Sequence, residues 1–191
     1  MAGGKTNARR RRAWLVFHDE SGVSQRPAIR RTWAPRGQTP VLTHAFNWKR
    51  LSVASVLAFR WDGRRSRCYS DTRPGSYHTD TLSPLVQRLQ RRFRGHPVIL
   101  LWDGLPAHKS AAMAAHLAQQ HRWLTVERLP GYAPELNPVE GVWSNLKGPE
   151  LANLCPEDLG VLAAAVASGL VRLRWKHRLH TGFLHHAGLS F

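Results

Sequence analysis

PVILLWDG, residues 97–104, decides the fold. Its apolar residues run without the alternation of a half-exposed strand, and the run stops at Asp103-Gly104. An uninterrupted run of this length fits a strand buried on both faces, as in a parallel sheet covered by helices. The segments around it agree. Upstream, TDTLSPLVQRLQRRF (79–93) places Leu82, Leu85, Val86, Leu89 and Phe93 at helical spacing, with Thr79 or Thr81 as a cap. Downstream, AHKSAAMAAHLAQQH (107–121) is alanine-rich and helical, and LTVERLP (124–130) reads as a short strand. Near the start, AWLVFHDES (13–21) is a buried strand that emerges into acids. RLSVASVLAF (50–59) is a second strand, and WDGRRSRCYS turns at Asp62-Gly63 into a third. Residues 24–40, rich in Pro, Gly and Arg, form a loop or short hairpin. A helix is expected from about 138 to 153. Another follows in CPEDLGVLAAAVASGLVRLRW, with Pro156 placed to start it. The last sixteen residues show no clear period. A strand meander followed by alternating helices and strands predicts an α/β fold: a mixed central β-sheet flanked by α-helices.

The length, 191 residues, suits one domain, and the 42% hydrophobic content excludes a disordered chain. No apolar run approaches the ~20 residues of a membrane span. No apolar signal region follows the basic N-terminus. The chain therefore reads as soluble, non-secreted and cytoplasmic, with no membrane partner. Cys68 and Cys155 are too few and too far apart for a zinc knuckle or disulfide framework. Residues 1–12 end in four arginines and read as a flexible basic arm, leaving 13–191 as the folded domain. Lys and Arg number 28 against 12 acids, a net charge of +16. Such a surface calls for a polyanion, and nucleic acid is the commonest one.

With so few acids, their positions carry information. Most fall in turns or at helix ends. Asp19 closes the first strand, Asp103 closes the central one, and Glu140 opens a helix behind the proline-rich LPGYAPELNP (129–138). Ligand and catalytic groups of α/β sheets gather beyond the carboxyl ends of strands. Strand residues alternate in direction, so Asp19 and Glu20 cannot serve one site, and Asp19 is favoured. Asn137 and Pro138 suit the start of a helix, with Val139, Val142, Trp143 and Leu146 on its buried stripe. A capping box, with Glu140 reaching back to the Asn137 amide, is the plainer reading of that acid. Three converging carboxylates in a basic chain would repel unless cations compensate. Two Mg²⁺ ions about 3.5–4 Å apart would do so, and would activate a hydroxyl against a phosphodiester. Arg30, Arg31 and Arg36 around Trp33 suit a DNA grip, the arginines on phosphates and the indole on a base or sugar. The alternative is a Trp packed on its own hairpin. His108 suits a phosphate or carboxylate contact, or a structural bond near a helix start. Lys109 and Lys147 join the candidate DNA contacts. The histidines at 177, 180, 185 and 186 read as surface residues.

These blocks resemble the DDE transposases of the insertion-sequence 630 family, relatives of the mariner transposases. The resemblance rests on FHDESG (17–22) with RRTWAPRGQTP (30–40), on VILLWDGLPAH (98–108), and on LPGYAPELNPVEGVWSNLK (129–147), in the family's order. It implies a ribonuclease H-like fold with Asp19, Asp103 and Glu140 as catalytic, metal-binding triad. Glu140 follows Asp103 by 37 positions, close to the family's spacing. It implies two Mg²⁺ ions, with Mn²⁺ as a substitute, and cleavage at transposon ends. Strand transfer follows, into target DNA at TA dinucleotides. It further implies a homodimer on bacterial, nucleoid-associated DNA. Gly104 departs from the Asn usual after the second Asp. The helix-turn-helix domains of full-length relatives have no room before Asp19, so a separate helix-turn-helix chain is an expected partner. The alternatives are an inactive DNA-binding remnant and a ribonuclease H-like nuclease or resolvase.

Overall fold

The computed structural model describes residues 2–44, 49–131 and 133–191. Met1 of the expected arm and Tyr132 of the third motif lie outside the described residues. Five strands form one sheet: β1 (Trp14–Ser24), β2 (Arg50–Phe59), β3 (Ser66–Pro74), β4 (Val98–Trp102) and β5 (Leu124–Arg128), in the order β3-β2-β1-β4-β5. The first three strands form an antiparallel meander. β4 then pairs parallel to β1, and β5 parallel to β4. This is the mixed sheet that the sequence predicts.

Side-chain alternation assigns one apolar layer to each face. Leu15, Phe17, Ile99 and Leu101 face α5 (Val139–Asn145), α6 (Leu159–Trp175) and α7 (His177–His186). Trp14, Val16, Val98, Leu100 and Trp102 face α2 (Thr79–Arg92) and α4 (Ala111–Ala118). β4 is buried at all five positions because both of its faces are covered. The first cap of α2 differs from expectation: His78 occupies the cap position, and its amide donates to Thr81 Oγ1 at 2.8 Å.

The basic arm is not extended. It forms α1 (Ala2–Arg11), with Ala8 fully buried. Arg12 takes a left-handed φ of 51°, Ala13 N–H donates to the Ala8 carbonyl, and Arg12 N–H donates to Arg9. These are the bonds of a Schellman stop, which satisfies the last carbonyls and turns the chain into β1.

Three other helices depart from the sequence reading. The expected helix over 107–121 is two: α3 (Pro106–Lys109) and α4, parted at Ser110, whose hydroxyl caps α4 through Met113 N–H. The helix expected over 138–153 stops at Asn145 and continues as a π turn, Leu146–Glu150. Pro149 cannot donate the next α-helical bond, and Leu151 N–H reaches back five residues to Leu146 instead. Pro156 does not start α6; Asp158 caps it through Val161 N–H at 2.8 Å. The last residues, without a clear period, form α7. Its buried His180 donates or accepts at both ring nitrogens, to Ser66 Oγ and the Leu173 carbonyl, so it is not a surface residue. Among the described residues, no helix is long and apolar enough to cross a membrane. Both cysteines are free, Cys68 buried and Cys155 half-buried.

Candidate active site

The parallel register brings the two aspartates together. Phe17 pairs with Leu101, and Asp19 and Asp103 each stand two residues further on. They therefore stand side by side where β4 ends, on adjacent strands about 4.8 Å apart; β1 runs on to Ser24, so Asp19 lies within its strand and does not close it as the sequence suggests. Glu140 comes from the first turn of α5. All three line one cleft of about 490 Å³, with Gly104, Leu105, Pro106, Lys109 and the loop from Leu129 to Asn137.

The stretch before α5 is fixed by local bonds. Pro134–Leu136 forms a 3₁₀ turn, and Asn137 N–H closes it onto the Pro134 carbonyl at 2.8 Å. The Asn137 side chain receives Val139 N–H at 3.2 Å and donates to the His18 carbonyl of β1. The predicted capping box is not made, because the Asn137 amide is already spent on Pro134. Asn137 instead ties the start of α5 to the strand that carries Asp19.

Each carboxylate has its own environment. Trp143 Nε1–H donates to Asp19 Oδ2 at 2.7 Å. Burial pushes the Asp19 pKa up to about 7; the indole bond opposes this, and the nearby Glu140 and Glu20 charges add to it. Asp103 Oδ1 accepts from His108 Nδ1–H at 2.5 Å and from Leu105 N–H at 3.2 Å. Burial alone would raise the Asp103 pKa, but these bonds and the imidazolium charge outweigh it and hold it below the usual value. Glu20 points to the opposite face, as strand alternation requires, and its Oε1 accepts from His108 Nε2–H at 3.0 Å. Burial opposes protonation of His108, yet the bonds to Asp103 and Glu20 raise its pKa to about 9. His18, enclosed beside them, is held near 4 by burial.

The remaining predicted residues divide by place. His108 is only 1% exposed and bridges two carboxylates, so its reading as a DNA contact does not hold. Lys109 lines the cleft, its ammonium folded over Gly104; a Cβ at Gly104 would meet Nζ at 2.8 Å. Lys147 Nζ donates to Ser21 Oγ at 2.6 Å, two residues after Asp19 in sequence but outside the cleft lining. Arg30, Arg31, Trp33 and Arg36 lie in an exposed segment, residues 28–43, which adds no strand to the sheet, although its first residue, Ala28, forms an isolated bridge to Ala152. Trp33 is 99% exposed, which rules out an indole packed on its own hairpin. The base of the segment is anchored: Arg30 N–H donates to Asn153 Oδ1 at 2.8 Å, and Asn153 Nδ2–H to the Arg30 carbonyl at 3.0 Å.

Three contributors were not singled out from sequence. Trp143 was placed in the buried stripe only, although a buried indole N–H ordinarily finds a partner. Glu20 was set aside with its face. Arg128, at the end of β5, donates to the carbonyls of Asp103 and His108 at 3.0 and 2.6 Å.

The donor chemistry suits a hard divalent cation, since the cleft offers carboxylate oxygens and the charges at Asp19 and Glu140 oppose each other. Among the described residues, no three His, Cys, Asp or Glu side chains converge tightly enough to enclose an ion unaided.

An antiparallel meander leading into parallel β4 and β5, with two acids level with the end of β4 and a third on α5, is a ribonuclease H-like nuclease arrangement. The family of DDE superfamily endonucleases matches residues 14–155, and the chain belongs to it. Among solved structures, the Mos1 mariner paired-end complex with Mn aligns over 96% of this chain and 55% of its own, at 16% identity and TM-score 0.67. The Mos1 strand transfer complex aligns over 98% and 59%, at 18% identity and TM-score 0.56. The catalytic domain of Mos1 transposase alone aligns over 98% and 89%, at 15% identity and TM-score 0.54. The chain thus spans somewhat over half the length of the paired-end and strand transfer chains. A search of curated proteins returns no match.

Proposed function

We propose that this chain is the catalytic domain of a DNA transposase of the insertion-sequence 630 branch. It cleaves phosphodiesters at transposon ends and joins the freed 3′-hydroxyl to target DNA, with TA dinucleotides as the preferred target. The observation that carries the reading is the convergence of Asp19, Asp103 and Glu140 on one cleft, within the residues matched by the DDE family. The Mos1 relatives, described as paired-end and strand transfer complexes and crystallised with Mn or Mg, support DNA and a divalent metal as partners. They also support action as a pair of chains on paired DNA ends. A helix-turn-helix chain that recognises the terminal repeats belongs to the same reading.

Asp19, Asp103 and Glu140 would hold the metal. When bound, two Mg²⁺ ions supply a deprotonated oxygen nucleophile and neutralise charge on the phosphate and the leaving oxygen. The chain's own residues do the rest. Trp143 holds one oxygen of Asp19, so its orientation is set before substrate arrives. The Leu129–Asn137 loop walls the cleft and limits access of solvent. Lys109 places a cation where a scissile phosphate would lie. Arg31, Arg36 and Trp33, which project from the exposed 28–43 segment, offer phosphate and base contacts along the approaching duplex.

Nicking of supercoiled plasmid in Mg²⁺ or Mn²⁺, comparing the chain with Asp103→Asn, tests this. Metal-dependent nicking abolished by the substitution is expected. Equal nicking by both proteins would overturn the assignment of the site. Absence of nicking with salt-sensitive DNA binding retained would point to a DNA-binding remnant or to a required partner chain, and adding a helix-turn-helix chain separates the two: nicking restored keeps the assignment, and nicking still absent overturns it.

A further inference from the structure

We infer that Glu20 and His108 are positioning residues for Asp103, forming a carboxylate–imidazole–carboxylate relay that fixes the orientation of the second acid of the cleft. The inference rests on the metal-dependent reading above and extends it to groups that do not touch the substrate. Carboxylate oxygens only accept, and both ring nitrogens of His108 face one: Asp103 Oδ1 at 2.5 Å and Glu20 Oε1 at 3.0 Å. Each nitrogen therefore carries a proton, and the ring has no freedom to flip without breaking two charge-assisted bonds. The Trp102 indole stacks on it, with ring centroids 3.9 Å apart and planes 29° from parallel. Arg128 clamps the same loop at both ends through the carbonyls of Asp103 and His108.

The consequence is asymmetric at Asp103. The bonds from His108 and Leu105 both land on Oδ1, and neither uses Oδ2. One oxygen is spent on orientation, and the other remains for a ligand. Glu20 reaches this relay from the far side of β1 through a separate small pocket of about 180 Å³, which His108 and Glu20 both line. Its second oxygen, Oε2, is buried without a protein partner among the described residues. A carboxylate there has no packing reason to exist; the imidazolium accounts for it. Outer partners of metal ligands act in this way, and their loss commonly costs ~10–100-fold in metal affinity.

The test uses Glu20→Gln, which keeps the shape of the side chain, and His108→Asn, with Leu85→Ala as a packing control on the same face of the sheet. In the metal-free wild type, proton NMR should show two far-downfield, slowly exchanging imidazole N–H signals. Glu20→Gln should move the Nε2–H signal and Asp103→Asn the Nδ1–H signal. Mn²⁺ titration by electron paramagnetic resonance should give ~10–100-fold weaker binding in Glu20→Gln and His108→Asn. High Mn²⁺ should restore nicking by Glu20→Gln but not by Asp103→Asn. Leu85→Ala should lower the melting temperature and leave Mn²⁺ affinity unchanged. Wild-type Mn²⁺ affinity in Glu20→Gln, or NMR signals indifferent to Glu20, would overturn the relay. Imidazole signals as expected in a wild type that binds no Mn²⁺ would overturn the metal-dependent reading and leave the geometry of the relay standing.

Discussion

At Asp19 two opposed effects meet on one carboxyl group. Burial and neighbouring acids favour its neutral form, while the Trp143 indole favours the charged one. Its pKa in the folded protein, about 7, lies above the unfolded value of 3.8. The unfolded chain therefore releases this proton first as pH rises, and the folded state loses stability between about pH 4 and pH 7. Metal-free Asp19→Asn should match the wild type near pH 4 and exceed it by on the order of 3 kcal/mol above pH 7. Urea denaturation at the two pH values reads this directly, and an advantage that shrinks with rising pH would contradict it. Trp143→Phe keeps the ring volume and removes the donor. It should cost about 1–3 kcal/mol, more at pH 8 than at pH 5, because an ionised oxygen is then left buried without its bond. Gly104 shows how a departure from a family pattern is accommodated. An Asn there would have to displace the Lys109 ammonium now folded over the glycine.

At the scale of elements, α5 is held from below by α7. A Cβ at Gly141 would come within 2.3 Å of the Phe183 ring, so the residue after Glu140 is a glycine because an aromatic ring lies against its backbone. Gly141→Ala should destabilise the fold by about 1–3 kcal/mol through overpacking and reduce nicking by shifting Glu140. Chemical denaturation and the plasmid assay, read together, check both effects. Gly169 plays the same part for α6, where a Cβ would press on Leu146 and Glu150 of the π turn at 3.0 and 3.1 Å. The strands were legible because burial on one or two faces writes period two, or an unbroken apolar run, into β1, β2 and β4. The strand-end position of Asp103 followed from that, whereas Asp19 lies within β1, level with the end of β4. The helices were less legible where one residue overrode the pattern. Pro149 was visible and its effect on the ladder was underestimated. In α7 the buried stripe His180, Phe183, Leu184 and Ala187 has helical spacing, but a histidine within it hides the period. The bridge between Glu20 and His108 joins residues 88 positions apart, and no local pattern records such a pairing. α1 has a polar sequence, and one buried alanine, Ala8, gives no periodic signal.

For the whole molecule, the +16 charge is spread over both structural and free arginines. Arg67 stacks over Trp14 at 4.8 Å and Arg92 over Tyr69 at 4.0 Å; Arg172 pairs with Glu150. Such groups add to the long-range field but are committed to the fold. The exposed 28–43 segment differs, since Arg31 and Arg36 project from it. Duplex binding should weaken with salt by about 0.9 in log K per log salt for each phosphate neutralised. The double substitution Arg31→Ala, Arg36→Ala should flatten that slope by up to about 2, with little change in melting temperature. An unchanged slope in fluorescence anisotropy titrations would remove this segment from the DNA interface.

The contact between Phe183 and Gly141 also bears on the order in which a newly made chain completes its cleft. Residues 19, 103 and 140 leave the ribosome in that order, yet the helix that carries Glu140 gains its underlying wedge only after residue 183 has followed them. Until α7 emerges and docks, the third acid sits on an unsupported helix. The order of synthesis thus places the support of Glu140 after all three acids, and a chain that stops before residue 183 lacks it.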